Sequence, residues 1–328
     1  MSNQSQLTEL INLGAMHHLN GNFEAADQYY AKAADLNQPS VTLLNNRGML
    51  FYQQNKFSDA HALFERAIEI DDHHATAWLN LANTEVLLGA YENAYHAFKQ
   101  TIQLKSDQFE AWEGLAKLYM ISADMDSAET CWLRAIELNP SNLNLLMGLA
   151  HVYLSTNKYD DAFEMATYVL SENPQNGRAL QTAGLAQLMV KNYASAIAYL
   201  KQYLNLFPAD VVVRNHLAVA YLQSNDIIEG AAEYERILEY DPDNEEVRLN
   251  TGVLCLGFDR FTEALLHFDL LLEKHPDNNK GKLYRGIALA NLSEKAKAKQ
   301  VFEDLLNNEP GEWAAHAKKQ LDLLNNLN

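Results

Sequence analysis

The sequence predicts an all-α fold, a stack of helix–turn–helix units forming an α-solenoid. Three observations predict it. A period of 34 residues tiles Leu7 to Glu312 in nine segments with no insertion or deletion. Small residues recur at two places in that frame. Position eight reads Gly14, Gly48, Ala82, Ala116, Ala150, Gly184, Ala218, Gly252 and Gly286, and position twenty reads Ala26, Ala60, Ala94, Ala128, Ala162, Ala196, Gly230, Ala264 and Ala298. Proline closes the last six segments, at Pro140, Pro174, Pro208, Pro242, Pro276 and Pro310. An internal period of this length signals stacked repeats, each too small to bury its apolar face alone.

The predicted organisation is an N-terminal extension over 1–6, then segments 7–40, 41–74, 75–108, 109–142, 143–176, 177–210, 211–244, 245–278 and 279–312, and a C-terminal capping helix over 313–328. The fourth segment shows the logic of one unit. Trp112, Leu115, Ala116 and Tyr119 recur at helical spacing. A polar break follows from Ser122 to Asp126, and a second stripe runs through Ala128, Trp132, Ala135, Ile136 and Leu138. Asn139-Pro140 ends it, because proline disfavours helix in the residue before it and has no backbone N–H. The small residues at positions eight and twenty are expected to face each other where the paired helices cross. At position four, Arg214, Arg248 and Lys282 replace the tryptophans of earlier segments and are expected to lay their stems on the next unit with the charge in water. In the last stretch, Trp313, Ala314, Ala317, Leu321 and Leu324 share one helix face, and Gln320 falls where a further segment would need a small residue. Such a helix closes the stack.

Composition narrows the function. Hydrophobic residues make up 48% of the chain, enough for a packed core. The net charge of −18 is spread evenly, with −6, −5 and −8 from successive thirds of the repeat array. No basic face is present to displace counterions from nucleic acid, and an anionic membrane would repel the chain. No stretch has the length of a membrane span. The start, MSNQSQLTEL, lacks the pattern of a secretory signal. Cys131 and Cys255 fall on core-facing registers far apart, which reads as two buried thiols in a reducing cytoplasm. Phosphate-binding, zinc-protease and nucleophile-elbow motifs are absent, so the chain is expected to be no enzyme and to hold no cofactor. His17-His18 point apart on a helix and chelate poorly. His73-His74, with Asp71 and Asp72, read as a polar turn, and no metal site is assigned.

The pattern resembles the tetratricopeptide repeat (TPR) family. The resemblance rests on Trp78 and Trp112 at position four and on Leu13, Leu81, Leu115, Leu149 and Leu217 at seven. The small residue at eight, Tyr119, Tyr153 and Tyr221 at eleven, alanine at twenty and proline at thirty-two add to it. So do the aromatics at twenty-four: Tyr30, Phe64, Phe98, Trp132, Tyr234, Phe268 and Phe302. It implies a right-handed superhelix whose first helices line a concave groove, and a protein or peptide partner in that groove.

On the first helix of each segment, positions 2, 5, 6, 9, 12 and 13 share one face, expected to be the open one. Position six carries Asn12, Asn46, Asn80 and Asn250, with Asn83 one turn on from Asn80. A side-chain amide offers an acceptor and two donors, which suits a peptide backbone of any sequence. The row resembles the asparagine ladder of long TPR superhelices. In the second half the face turns apolar, through Leu154, Leu185, Leu188, Met189, Leu222 and Leu256. Two readings of that row are open. If exposed, it receives an amphipathic segment. If packed, it belongs to the core. The cationic set with which some TPR co-chaperones clamp a C-terminal carboxylate is missing.

These observations predict a non-catalytic scaffold, adaptor or chaperone holding an extended or helical segment of a partner. The alternatives are a subunit of a larger secretion, envelope-biogenesis or pilus assembly, the substrate-reading partner of a separate transferase, and homo-oligomerisation through the apolar row.

Overall fold

The computed structural model describes residues 3–308 and 311–326. Pro310 and the ends of the predicted extension and capping helix, residues 1–2 and 327–328, lie outside them. Among the described residues there are nineteen helices and no strand. The first helices of the segments are α1 (Asn3–Leu19), α3 (Val41–Gln53), α5 (Ala75–Leu87), α7 (Phe109–Ile121), α9 (Leu143–Ser155), α11 (Gly177–Met189), α13 (Val211–Gln223), α15 (Glu245–Gly257) and α17 (Asn279–Asn291). The second helices are α2 (Phe23–Ala34), α4 (Phe57–Ile70), α6 (Tyr91–Leu104), α8 (Met125–Leu138), α10 (Tyr159–Glu172), α12 (Tyr193–Leu206), α14 (Ile227–Tyr240), α16 (Phe261–Lys274) and α18 (Lys295–Asn308). The last helix is α19 (Glu312–Asn326). The chain divides into two compact bodies, Met1–Met165 and Ala166–Asn328. In each, first helices pack on their own second helices, as α1 on α2 and α11 on α12, and several also on the next segment's first helix, as α1 on α3 and α11 on α13. This is an all-α solenoid arrangement.

Both turns of the frame have a physical cause. Position fifteen is left-handed in all nine segments, with φ between 57° and 75°, whether it holds Gly21, Gly89, an asparagine such as Asn55, or Ala123 and Lys191. The N–H one residue on reaches back five residues to a carbonyl at 2.8–3.0 Å, closing the first helix with a Schellman turn. The polar break is therefore a specific backbone conformation. The other turn ends in a helix cap. Position thirty-four accepts from the new helix through Ser40, His74, Asn142, Asn176, Asp210, Asn244 and Asn278.

Position four contributes to the same turn. Trp78 Nε1 donates to the Asp72 carbonyl at 2.8 Å and Trp112 Nε1 to the Ser106 carbonyl at 3.1 Å. In the second body Arg214 Nη2 donates to the Pro208 carbonyl at 2.5 Å, and Arg248 bonds the Pro242 carbonyl. Each donor meets the carbonyl six residues earlier, so arginine replaces tryptophan as the same hydrogen-bond donor. This corrects the expectation for Arg214, whose charge is not in water. Its side chain is 9% exposed, and Nη1 lies 2.6 Å from Glu233, itself 7% exposed and also paired with Arg236.

The small residues have a second partner that the pattern did not show. Gly230 at position twenty lies against the Ala218 carbonyl, so eight and twenty do approach each other. Glycine at position eight, however, is fixed by the side chain at twenty-four. A Cβ on Gly48 would stand 2.6 Å from the Phe64 ring, and Gly14, Gly252 and Gly286 meet Tyr30, Phe268 and Phe302 in the same way. Gly184 meets Leu200 at 2.6 Å. Where position eight is Ala82 or Ala116, the ring leans the other way. Phe98 and Trp132 then occupy the Cβ places of Gly114 and Gly148, at position six of the next segment. Tyr30, Phe64, Phe98, Phe268 and Phe302 are the largest fully buried side chains. Cys131 and Cys255 are buried free thiols. α19 buries Ala317, Leu321 and Leu324 on the last core cluster, with Trp313 packed beside them.

The left-handed turn yields a stability prediction. An L-residue there costs about 1–2 kcal/mol, and glycine's own entropy returns only part of that. Ala123→Gly is expected to stabilise the chain by about 0.5–1 kcal/mol in a denaturant titration. A loss of stability contradicts the turn assignment.

Candidate functional site

The first-helix face is narrower than the sequence suggested. Position five is buried at Ile11, Asn45, Leu79 and Met147. Positions 2, 9 and 13 are the more open ones. In the first body, Thr8, Thr42 and Thr76 are exposed at position two, and Lys117 and His151 at position nine. At thirteen stand Leu19, 89% exposed, Leu87 at 50% and Ile121 at 57%. These three are the apolar residues that a reading of the sequence missed. Helical periodicity puts position thirteen on the open face, but Gln53 and Ser155 interrupt its apolar residues in the sequence.

Position six is the seat of the preceding segment's residue twenty-four. Beyond the glycines that admit Phe98 and Trp132, Asn250 bonds the Tyr234 hydroxyl, and Tyr284 stacks on Phe268 with centroids 6.0 Å apart. Asn12 is exposed, while Asn46 and Asn83 are half-buried. Asn80 is buried, and its Nδ2 donates to Asn45 Oδ1 at 2.8 Å, joining α5 to α3. Asn80 thus serves the stack, with a partner at position five that the pattern gave no reason to single out.

The apolar row is half-buried. Leu154 in the first body and Leu185 in the second are partly covered. Leu188 packs against the Ala196–Leu217 cluster, Leu222 against Tyr234 and Ile237, and Leu256 against Phe268. Leu222 also fills the space beside Gly230. Met189 stands out at 48% exposure. Position twelve therefore packs on its own second helix, and its open edge is small.

Asp71, Asp72 and His73 bring exposed ligand atoms within 4.8 Å of one another, with His73 Nδ1 2.5 Å from Asp72. His74 is committed elsewhere, accepting from the Ala77 N–H at 3.1 Å. His18 contacts Gln53 at 2.9 Å, and His17 stacks on Tyr29.

Three sequence models, each described as tetratricopeptide repeat, match this chain. One covers residues 6–73, a second 187–249, and a third 45–108, 114–168 and 147–211. The chain belongs to the tetratricopeptide repeat family. No curated protein matches it in sequence. Solved TPR structures share its fold at low identity. Pseudomonas aeruginosa pilF is 18% identical with a TM-score of 0.57, over 63% of this chain and 95% of its own. A tetratricopeptide repeat protein from Parabacteroides merdae is 15% identical with a TM-score of 0.55, over 76% and 98%. YrrB, described as a TPR protein with an unusual peptide-binding site, is 17% identical with a TM-score of 0.51, over 60% and 97%. Among the described residues, no helix is long and apolar enough to cross a membrane.

Two histidines give this TPR chain a pH dependence. Burial pushes His216 below its ordinary value of 6.5, opposed by the Asp210 carboxylate. Burial also lowers His267, opposed by Glu235 and assisted by Arg248. Nδ1 of each ring is buried without a partner. Both rings are protonated more easily in the unfolded chain. The stability tied to neutral rings is complete above 6.5 and is lost as pH falls through the folded values. The denaturant midpoint is expected to fall between about pH 7 and pH 5, and a His216→Gln/His267→Gln variant is expected to flatten that slope. An unchanged slope contradicts the assignment.

Proposed function

We propose that this TPR protein is a non-catalytic scaffold that holds a polypeptide partner on the open stripe of its first helices. The observation that carries the reading is the exposure of Leu19, Leu87 and Ile121 at one register of the first body. Apolar residues repeated at a single register, with open water on one side, mark an interaction surface. The amides of Asn12 and Asn83 lie on the same helices as Leu19 and Leu87, with Asn46 on α3 between them, and offer donors and acceptors to a backbone. Apolar contact gives affinity, and the amides hold an extended segment in register whatever its sequence. In the second body, Met189 is the exposed apolar residue at that register. Leu185, Leu188, Leu222 and Leu256 support the face from below, and Asn250 is taken by Tyr234.

The test compares wild type with Leu87→Glu/Ile121→Glu. Both positions are already solvent-facing, so the variant is expected to melt like wild type. Polypeptides captured by the wild-type chain are expected to bind the variant at least tenfold more weakly. Sedimentation of the chain at two concentrations identifies a second copy as the partner if the mass changes in wild type alone. If the variant retains all partners at full strength, the first-helix stripe is not the working surface.

A further inference from the structure

A different place in the frame is left unfilled. Position twenty-one of one segment meets position eleven of the next, and large or charged pairs fill that contact elsewhere. In the first body Tyr95 and Tyr119 form an edge-on ring pair, with centroids 5.9 Å apart and hydroxyls 3.3 Å apart. His61 and Glu85 form an ion pair at 3.5 Å. In the second body Ile197 and Tyr221 pack on one cluster, and Leu265 and Leu289 on another. Between α14 and α15 the pair is Ala231 and Cys255, and both side chains are small. A cavity of about 790 Å³ opens there, within the size range of ligand sites.

Cys255 and Thr251, 4% and 1% exposed, form its floor. The Thr251 hydroxyl is spent on the Val247 carbonyl at 2.8 Å, and burial pushes the Cys255 thiol up, keeping it neutral. The wall's polar groups have partners. Arg260 pairs with Glu263, and His267 Nε2 lies 3.3 Å from Glu235. With Nε2 turned to that carboxylate, His267 Nδ1 is a buried acceptor without a donor. With His267 neutral, Glu235, Glu263 and Arg260 leave a single negative charge at the wall, which disfavours an anion. The cavity's small, largely apolar floor suits a ring, the kind of group that Tyr95 and Tyr119 put at this place in the frame.

We propose that the Ala231/Cys255 cavity binds an aromatic side chain of a partner polypeptide, in the place where Tyr95 and Tyr119 fill the frame of the first body. A polypeptide is favoured over a free aromatic molecule by the mouth. Ile228 on α14 and Leu266 on α16 stand 75% and 57% exposed on its two sides. They extend the apolar surface beyond one ring, to where the residues flanking an anchor would lie. This site lies between the second helices α14 and α16 with α15 as its floor, and does not depend on the first-helix stripe.

The test uses the full chain and two blocked pentapeptides, one with a central 5-fluorotryptophan and one with a central alanine, besides 5-fluoroindole alone. Saturable broadening of the fluorine signal is expected with the tryptophan peptide, at least threefold tighter than with indole. The alanine peptide is expected not to compete. Cys255→Phe fills the floor and Ala232→Gln narrows the wall, and each is expected to weaken the peptide at least tenfold while circular dichroism stays unchanged. If Cys255→Phe does not fold, Ala232→Gln decides. Leu87→Glu/Ile121→Glu is expected to leave this binding intact. No saturable binding in wild type, or full binding in a folded filled variant, overturns the site. Equal affinity for peptide and indole overturns the polypeptide occupant.

Discussion

The structure depends on where each side chain at position twenty-four finds room. Six of the buried rings at this position lie against a neighbour without a Cβ, in one of two places; Tyr234, between Ala218 and Asn250, is the exception. Gly14, Gly48, Gly252 and Gly286 admit Tyr30, Phe64, Phe268 and Phe302 within the same segment, whereas Gly114 and Gly148 admit Phe98 and Trp132 from the segment before. Overpacking such a contact costs about 1–3 kcal/mol, comparable to a large share of a domain's net stability. The choice sets which segment a ring is shared with. It also bears on position six, which is glycine where Phe98 and Trp132 arrive and Asn46, Asn80 or Tyr284 where Tyr30, Phe64 or Phe268 stays in its own segment. The asparagine row breaks at Gly114 for this reason, before any question of ligand arises.

Much of the frame could be read in the chain itself. The period, the small residues and the closing prolines give the helix pairs, because local backbone chemistry and packing repeat with them. What could not be read is how neighbouring segments overlap. Helical periodicity says which residues share a face, but not how far the next helix covers that face. Position five therefore seemed open, yet Asn45 and Leu79 are buried between first helices. Asn80 seemed to be a ligand residue, yet it bonds Asn45. Arg214 seemed a solvated cation, because its partner Glu233 is nineteen residues away and on no common face. The left-handed position fifteen was hidden by the variety of residues that occupy it. Gly21, Gly89, Asn55, Asn157 and Asn225 favour that conformation, but Ala123, Lys191 and Ser293 do not announce it.

Surfaces free to act are what remains after these demands. Stacking takes positions five, six, eight, twelve, twenty and twenty-four, and leaves two, nine and thirteen. Leu19, Leu87 and Ile121 sit at such a free register, and nothing in the frame requires them to be apolar. The Ala231/Cys255 cavity arises from the opposite departure, in which a contact the frame normally fills is left small. Both depart from what stacking requires, and that is where a binding function is best sought in a repeat chain. The acidic net charge keeps such a surface soluble and disfavours anionic partners.

The ring-seat rule is tested most directly by exchanging the two seats of one ring. Gly114→Ala alone removes the seat of Phe98. Helix propensity by itself favours alanine by about 1 kcal/mol, so a loss would have to come from the ring. Combining it with Ala82→Gly opens the other seat. The account predicts that Gly114→Ala loses about 1–3 kcal/mol in denaturant titration and that the exchanged pair recovers most of it. If the pair loses as much as the two single changes together, the rings do not choose between seats, and the stacking account is wrong.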